Sequence, residues 1–291
     1  MQKKVPAPIP KRKFKNQDEL SILGFGGIVV CSVSQKEADS YVSEAIDWGI
    51  NYFDVAPSYF DGEAEIKLGN ALRPYRDRVF LACKTGKRDA EGAQRELETS
   101  LERAHTDHFD LYQFHAVTTL EEVDQILGPH GAAETFLRAK DRGLVRYVGF
   151  SAHSVEAALA LLDRFPGDSV LFPLNFVSVQ RGNFGLQIVE RAKQKGAARL
   201  ALKAMAYSPW GEQEKHTYAK AWYKPIEDSD LQEKALRYTL GLDITAAVPP
   251  GHYELYRRAL EIAANYKKLS SEELAELQRV AEGVTPLFKH P

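Results

Sequence analysis

Residues 45–72 read AIDWGINYFDVAPSYFDGEAEIKLGNAL, and this stretch decides the fold. It begins in the last turns of an amphipathic segment, Gln35–Trp48, whose apolar positions recur at intervals of three and four, as one buried face of a helix requires. Gly49 follows at once, where a left-handed residue closes a helix at least steric cost. Asn51–Val55 is then a short β-rich apolar run, and after a polar loop helical spacing returns over Glu63–Arg73. A buried strand with a helix on either side is the repeating unit of an α/β protein.

Worked outward, the unit recurs over the whole chain. Candidate strands are Leu23–Gly26, Asn51–Val55, Val79–Lys84, Phe109–His115, Val145–Ser151, Ser169–Leu174, Arg199–Lys203 and Asp243–Val248. Candidate helices are Gln35–Trp48, Glu63–Arg73, Ala90–Ala104, Ala133–Arg142, Val155–Arg164, Gly185–Lys195, Asp230–Leu240 and Tyr253–Ala264, with Gly143 and Gly196 placed as Gly49 is. Eight such units without a linker predict an α/β chain closed as a (β/α)8 TIM barrel, one domain over residues 1–291. An open doubly wound sheet would carry a phosphate fingerprint after its first strand, and LGFGG at residues 23–27 is not GxGxxG. Residues 1–18 read as a mobile arm and an exposed hairpin, residues 204–229 as a long loop able to act as a lid, and SSEELAEL at 270–277 as a capped surface helix beyond the barrel.

Composition narrows the classes. With 44% hydrophobic and 27% charged residues the chain has ample material for a core, and a net charge of -2 offers no basic field to a nucleic acid. The basic cluster KKVPAPIPKRKFK precedes an apolar stretch, ILGFGGIVVCSV, but Asp18 and Glu19 interrupt the transition, so the stretch reads as structure rather than as a signal peptide. Nothing approaches the roughly 20 apolar residues that span a bilayer. Cys31 and Cys83 are the only cysteines and offer no disulfide framework, so a reducing cytoplasm is expected.

In a barrel of this kind chemistry sits at the C-terminal ends of the strands. Asp54 ends the second strand, Lys84 the third and His115 the fourth, while Tyr59 follows Asp54 on the adjoining loop. Singly, each has an ordinary reading as a cap, a rim residue, a snorkelling cation or a core imidazole. Together they form an acid–base device. A phenol with a reference pKa of about 10 donates poorly at neutral pH, and a neighbouring ammonium is expected to lower that value. Asp54 would keep Lys84 charged, and His115 would orient a substrate oxygen beside Tyr59.

The chain resembles the aldo-keto reductases over nearly its whole length. The resemblance is carried by LGFGG, by residues 45–72, by VFLACKTG, DLYQFH and GLVRYVGFS, and by LSSEELAEL near the end. It implies that Asp54, Tyr59, Lys84 and His115 form a catalytic tetrad acting on a small carbonyl or alcohol substrate. It also implies an extended nicotinamide dinucleotide, NADP(H) in preference to NAD(H), bound without a Rossmann fold. Ser151 corresponds to a serine on the carboxamide, Asn175 to the asparagine of a Tyr-Asn pair among the cofactor positions, Gly251 to a glycine turn in VPPG, and Arg257 to a contact with the adenosine 2′-phosphate. Where the family often stacks a tyrosine on the nicotinamide the alignment brings Lys203, although YSPW makes Tyr207 the alternative. Ala152 stands where an asparagine often follows the serine.

Other readings stay open at this level. Lys84 and Lys203 both sit where a Schiff-base aldolase would place its lysine. A non-catalytic, cofactor-sensing scaffold subunit is a further reading, against which the intact tetrad weighs, and the altered contacts at Ala152 and Lys203 raise a net non-redox cycle with retained nicotinamide. His153 has no cysteine or acidic partner at ligand spacing, so no metal site is expected. His216, Tyr218, Trp222 and Tyr223 would form an aromatic wall for a substrate or pack the long loop down.

Overall fold

In a closed parallel barrel alternate residues of each strand face the interior and the surrounding helices, so a period of two along the chain becomes two layers in space. The structure, a computed structural model, describes residues 8–291. An antiparallel hairpin, β1 (Lys11–Lys15) and β2 (Asp18–Ser21), leads into the barrel. The barrel strands are β3 (Phe25–Gly26), β4 (Tyr52–Asp54), β5 (Phe80–Thr85), β6 (Phe109–Val117), β7 (Val145–Ala152), β8 (Ser169–Pro173) and β9 (Ala198–Leu202), each parallel to the next. A short pair, β10 (Ala206–Ser208) with β11 (Lys224–Pro225), folds the long loop before the last strand, β12 (Ala246–Val248), pairs with β9. The seam is closed by backbone hydrogen bonds of 2.9 Å from Gly24 N to Ala247 O and from Ala247 N to Ile22 O.

The connecting helices are α1 (Gln35–Asp47), α2 (Glu63–Leu72), α3 (Ala90–Arg103), α4 (Leu120–Leu127), α5 (Ala132–Asp141), α6 (Val155–Arg164), α7 (Phe176–Gly182), α8 (Leu186–Gln194), α9 (Ser229–Gly241), α10 (Tyr253–Ala264) and α11 (Ser271–Glu282). All eight expected barrel strands are present within a few residues of their expected limits. Gly49, Gly143 and Gly196 take φ of 85°, 73° and 68°, the left-handed closures that their positions predict. Ser270 caps α11 in a reciprocal capping box with Glu273. Two helices escape the sequence pattern. In α4 only eight residues carry the period, and α7 begins with Val177 and Val179 in β-like alternation yet is turned into a helix by the Asn175 side chain accepting from Ser178 N.

Alternation sorts the barrel into tiers. Facing outward, Phe53, Leu81, Cys83, Tyr112, Phe114, Val148 and Phe150 pack under the helices. Facing inward, Phe80 and Tyr147 form a lower tier and Tyr52, Ala82, Leu111 and Leu171 the tier above. Two residues further along β4, β5 and β6 the same face carries Asp54, Lys84 and Gln113, and on β7 it carries Ser151, four residues past Tyr147, all buried. The apolar tiers therefore seat a polar tier at the C-terminal mouth.

The hairpin differs from its expected exposure. Phe14 and Leu20 are buried, and the Phe14 ring lies 4.9 Å from Phe80 and 5.2 Å from Tyr147. Burying these side chains seals the barrel floor, which an eight-stranded barrel would otherwise leave wet below its lowest tier. The hairpin proper spans Lys11–Ser21, and the arm assigned to the first residues lies outside the described residues. Among the described residues no helix is long and apolar enough to cross a membrane. Phe14→Ala, leaving a void against two aromatic rings, is expected to cost about 3 kcal/mol. Urea unfolding should show a lower midpoint with an unchanged slope.

Candidate active site

The polar tier is organised around one carboxylate. Asp54 accepts from Lys84 Nζ on one oxygen, and on the other from Tyr52 Oη at 3.1 Å and Gln113 Nε2 at 3.2 Å. Lys84 Nζ also donates to Val55 O at 3.1 Å and to Tyr59 Oη at 3.2 Å, which occupies its three donors. Burial alone would lower the Lys84 pKa, but the Asp54 charge and the Tyr59 oxygen raise it, so the ammonium is kept. Tyr59 Oη accepts from Lys84 and has its own proton free for another acceptor.

The Tyr59 pKa is raised, not lowered. Burial away from water outweighs the pull of Lys84, and the Asp54 charge adds to it, so the phenol stays protonated at neutral pH. This corrects the expectation drawn from the neighbouring ammonium alone, because desolvation depends on the walls of the cavity and not on the strand ends. His115 stands edge-on to Tyr59, with ring centroids 5.7 Å apart at 81°, and its Nδ1 lies 3.3 Å from Ser58 Oγ. Burial, with Lys84 beside it, drives the imidazole down to about 2, so it is neutral.

These groups form the floor of a cavity of about 270 Å³, near the lower end of the range of roughly 300–1,000 Å³ common to small-molecule sites. Ser151, His153, Lys203, Lys220, Trp222, Tyr223 and Gly251 line its walls. Ser151 Oγ accepts from Ala116 N at 2.7 Å and keeps its hydroxyl proton to donate. Lys203, and not Tyr207, occupies the end of β9 at the cavity. Tyr207 instead packs beside Phe176 and Ile226 and faces a separate groove with Trp210. Asn175 is not a lining residue, since its amide donates to Lys203 O at 3.2 Å and accepts from Ser178 N at 2.8 Å. At Gly251 a Cβ would meet Ile28 Cγ2 at 2.3 Å, so the turn admits no side chain. Arg257, on α10, is 59% exposed and lies 3.4 Å from Glu44.

The aromatic residues of the long loop divide. Trp222 and Tyr223 line the cavity, whereas His216 stacks on Trp210 and Tyr218 packs edge-on against His252. Several residues in contact with the site escaped the sequence reading. Tyr52 and Gln113 share the inward parity of Asp54 and His115, a signal that alternation could have supplied. Lys220 and Phe288 carry no such signal. Phe288 reaches the mouth from the C-terminal segment and packs on His153 and Trp222.

A parallel eight-stranded barrel with buried polar groups at its C-terminal mouth places the protein among the (β/α)8 barrel enzymes. A profile described as Aldo/keto reductase family matches residues 23–282. The chain belongs to the aldo/keto reductase family, whose members are NAD(P)H-dependent oxidoreductases. It is 28% identical to the uncharacterized oxidoreductase YqkF of Bacillus subtilis (strain 168), over 92% of this chain and 95% of that one. Among solved structures it resembles the aldo-keto reductase AKR11C1 from Bacillus halodurans in its holo form, with a TM-score of 0.74, 23% identity and coverage of 94% and 96%. It also resembles an aldo-keto reductase from Klebsiella pneumoniae in complex with NADPH, with a TM-score of 0.72, 20% identity and coverage of 97% and 98%.

The depressed imidazoles make an acid-side prediction. His115 falls from 6.5 to about 2 and His153, chiefly through burial, to about 3. Below pH 6.5 the unfolded chain takes up these protons while the folded chain does not, so stability present above pH 6.5 is lost as the pH falls towards the folded values. Replacing both by Gln should flatten the decline in urea midpoint between about pH 7 and about pH 4. Equal declines in variant and wild type would show that the folded imidazoles are charged.

Proposed function

We propose that the protein reduces a carbonyl group of a small molecule with NADPH, or oxidises the corresponding alcohol, with Tyr59 as the group that moves the proton. The observation that carries this reading is the Lys84 ammonium, held by Asp54 and donating to Tyr59 Oη at 3.2 Å. A reduced nicotinamide, when bound, supplies the hydride that a carbonyl carbon accepts. The remaining work falls to the side chains. With Ser58 Oγ donating to Nδ1, the His115 proton sits on Nε2 and can donate to a substrate oxygen beside Tyr59. Tyr59 Oη then gives that oxygen its proton, and the phenolate left behind is stabilised by the Lys84 charge. In the oxidative direction the same atoms act in reverse.

The donor set of the walls suits an extended dinucleotide. Ser151 Oγ offers a donor for a carboxamide, and Lys220, near Gly251, offers a cation for a diphosphate. Arg257 lies further out, where a 2′-phosphate would favour NADP(H) over NAD(H). The NADPH-bound Klebsiella pneumoniae structure and the NADP(+) in the name of the Schizosaccharomyces pombe relative yakc support that preference. We read the 204–229 loop, which brings Lys220, Trp222 and Tyr223 to the cavity, as the lid over the bound pair. The engagement of Lys84 with Asp54, Val55 and Tyr59 leaves no free amine for a Schiff base there.

Titration of intrinsic tryptophan fluorescence tests the cofactor. NADPH should bind more tightly than NADH, and Arg257→Ala should weaken NADPH by about tenfold while leaving NADH unchanged. Failure of either nucleotide to bind removes the oxidoreductase reading for this chain. Tyr59→Phe should lower kcat with an aldehyde by about a hundredfold or more and leave NADPH affinity unaltered. Retained turnover in Tyr59→Phe would take the proton-transfer role away from the phenol.

A further inference from the structure

Two lysines are buried among the described residues, Lys84 and Lys203, and their circumstances are opposite. Lys84 is paired with Asp54. Lys203, which also lines the cavity, has no carboxylate within ion-pair reach among the described residues. Its Nζ stands over three aromatic faces, 5.3 Å from the centroid of Trp222, 5.8 Å from Tyr223 and 5.8 Å from Phe288. Such faces return part of the hydration lost on burial but neutralise nothing.

The backbone holds this arrangement against a local cost. Lys203 has φ of 62°, a left-handed conformation uncommon for a side chain of its length. Its carbonyl accepts from Asn175 Nδ2 at 3.2 Å and from Ala206 N at 3.0 Å, so the bend is pinned from two sides. The cavity cannot supply the missing charge. Asp54 is its one carboxylate and is already engaged by Lys84, Tyr52 and Gln113, while His115 and His153 are neutral. Three lysines against one carboxylate leave the lining with an excess of two positive charges.

The two remaining cations serve different ends of the cavity. Lys220 reaches Val29 O at 3.2 Å, and its backbone meets His252 beside Gly251. Lys203 lies toward the Phe288 ring, which stands 5.8 Å from its Nζ and packs at 5.3 Å on His153. We propose that Lys203 Nζ binds a carboxylate carried by the substrate, so that the enzyme acts on oxo acids, or the corresponding hydroxy acids, in preference to neutral carbonyl compounds. The inference rests on the reading of the Tyr59 floor as the reacting centre. A lone ammonium among aromatic rings matches the single charge of a carboxylate, and Lys220, set toward Gly251, is the cation left for a diphosphate. Burial, aided by the Lys84 charge, lowers the Lys203 pKa to about 8, which leaves the free amine mostly protonated at neutral pH and ready to be stabilised by an incoming anion.

The test compares succinic semialdehyde and para-carboxybenzaldehyde, each against its methyl ester, in wild type, Lys203→Gln and Lys203→Met. Binding is read from intrinsic tryptophan fluorescence in the presence of NADP and turnover from NADPH oxidation, with NADPH affinity measured separately. Wild type should favour at least one acid over its ester by about tenfold or more, and both variants should lose that preference while holding NADPH affinity within about twofold. Carboxylate binding that depends on Lys203 without turnover of any aldehyde would support the site, and the failure would then fall on the reaction assigned to Tyr59. Equal handling of acids and esters by wild type, an undiminished preference in the variants, or a loss of NADPH affinity in place of the preference would each overturn the proposal.

Discussion

The buried ion pair between Asp54 and Lys84 is the constraint on which the mouth of the barrel depends. Two charges removed from water are tolerable only when each is matched and the remaining lone pairs and protons are used. Here Tyr52 and Gln113 add two donors to the carboxylate, and Val55 O and Tyr59 Oη take the two remaining protons of the ammonium. Burial first, and then this fixed positive charge, keep the His115 imidazole neutral, and the ammonium donates the hydrogen bond that Tyr59 Oη accepts. Removing either partner would leave the other charge stranded among groups positioned to serve it.

Below this pair the barrel is ordinary in its physics. The apolar tiers of Phe80, Tyr147, Tyr52 and Leu111 hold the strands at fixed spacing, and the hairpin closes the floor with Phe14. A packed interior of this kind resists deformation, which makes the strand ends a rigid platform for polar groups. The cavity walls are of another kind, built in part by the 204–229 loop through Lys220, Trp222 and Tyr223. A rigid floor with loop-built walls matches the general division of labour in this fold, where strand ends carry the chemistry and loops carry selectivity.

That division also explains an unequal legibility. Tyr59 lines the cavity, but its pKa shifts opposite to what the sequence suggests, because a neighbouring ammonium is visible in the order of strands whereas the loss of water is not. Lys203 was aligned with a stacking residue, yet what surrounds its ammonium are rings from residues 222, 223 and 288, two of them in a long loop and one near the chain end. Asn175, given a ligand role by resemblance, is occupied as a helix cap and as a brace for the Lys203 backbone. The family itself was readable from motifs spread across the chain, and the profile match over residues 23–282 agrees with them.

What the sequence by itself determined is most of what depends on neighbours along the chain, α4 and α7 excepted. Periods of two and near 3.6 marked the strands and helices, glycines at left-handed positions marked helix ends, and polar residues at strand ends marked the mouth, because these signals need only a few consecutive residues. The tertiary structure alone decided which groups meet across the barrel: Gln113 on Asp54, Phe14 under Phe80, Phe288 beside Lys203. It also decided the direction in which each buried group titrates. Those outcomes are sums over residues distant in sequence, in which desolvation by one wall competes with charge from another, and no local pattern encodes that balance.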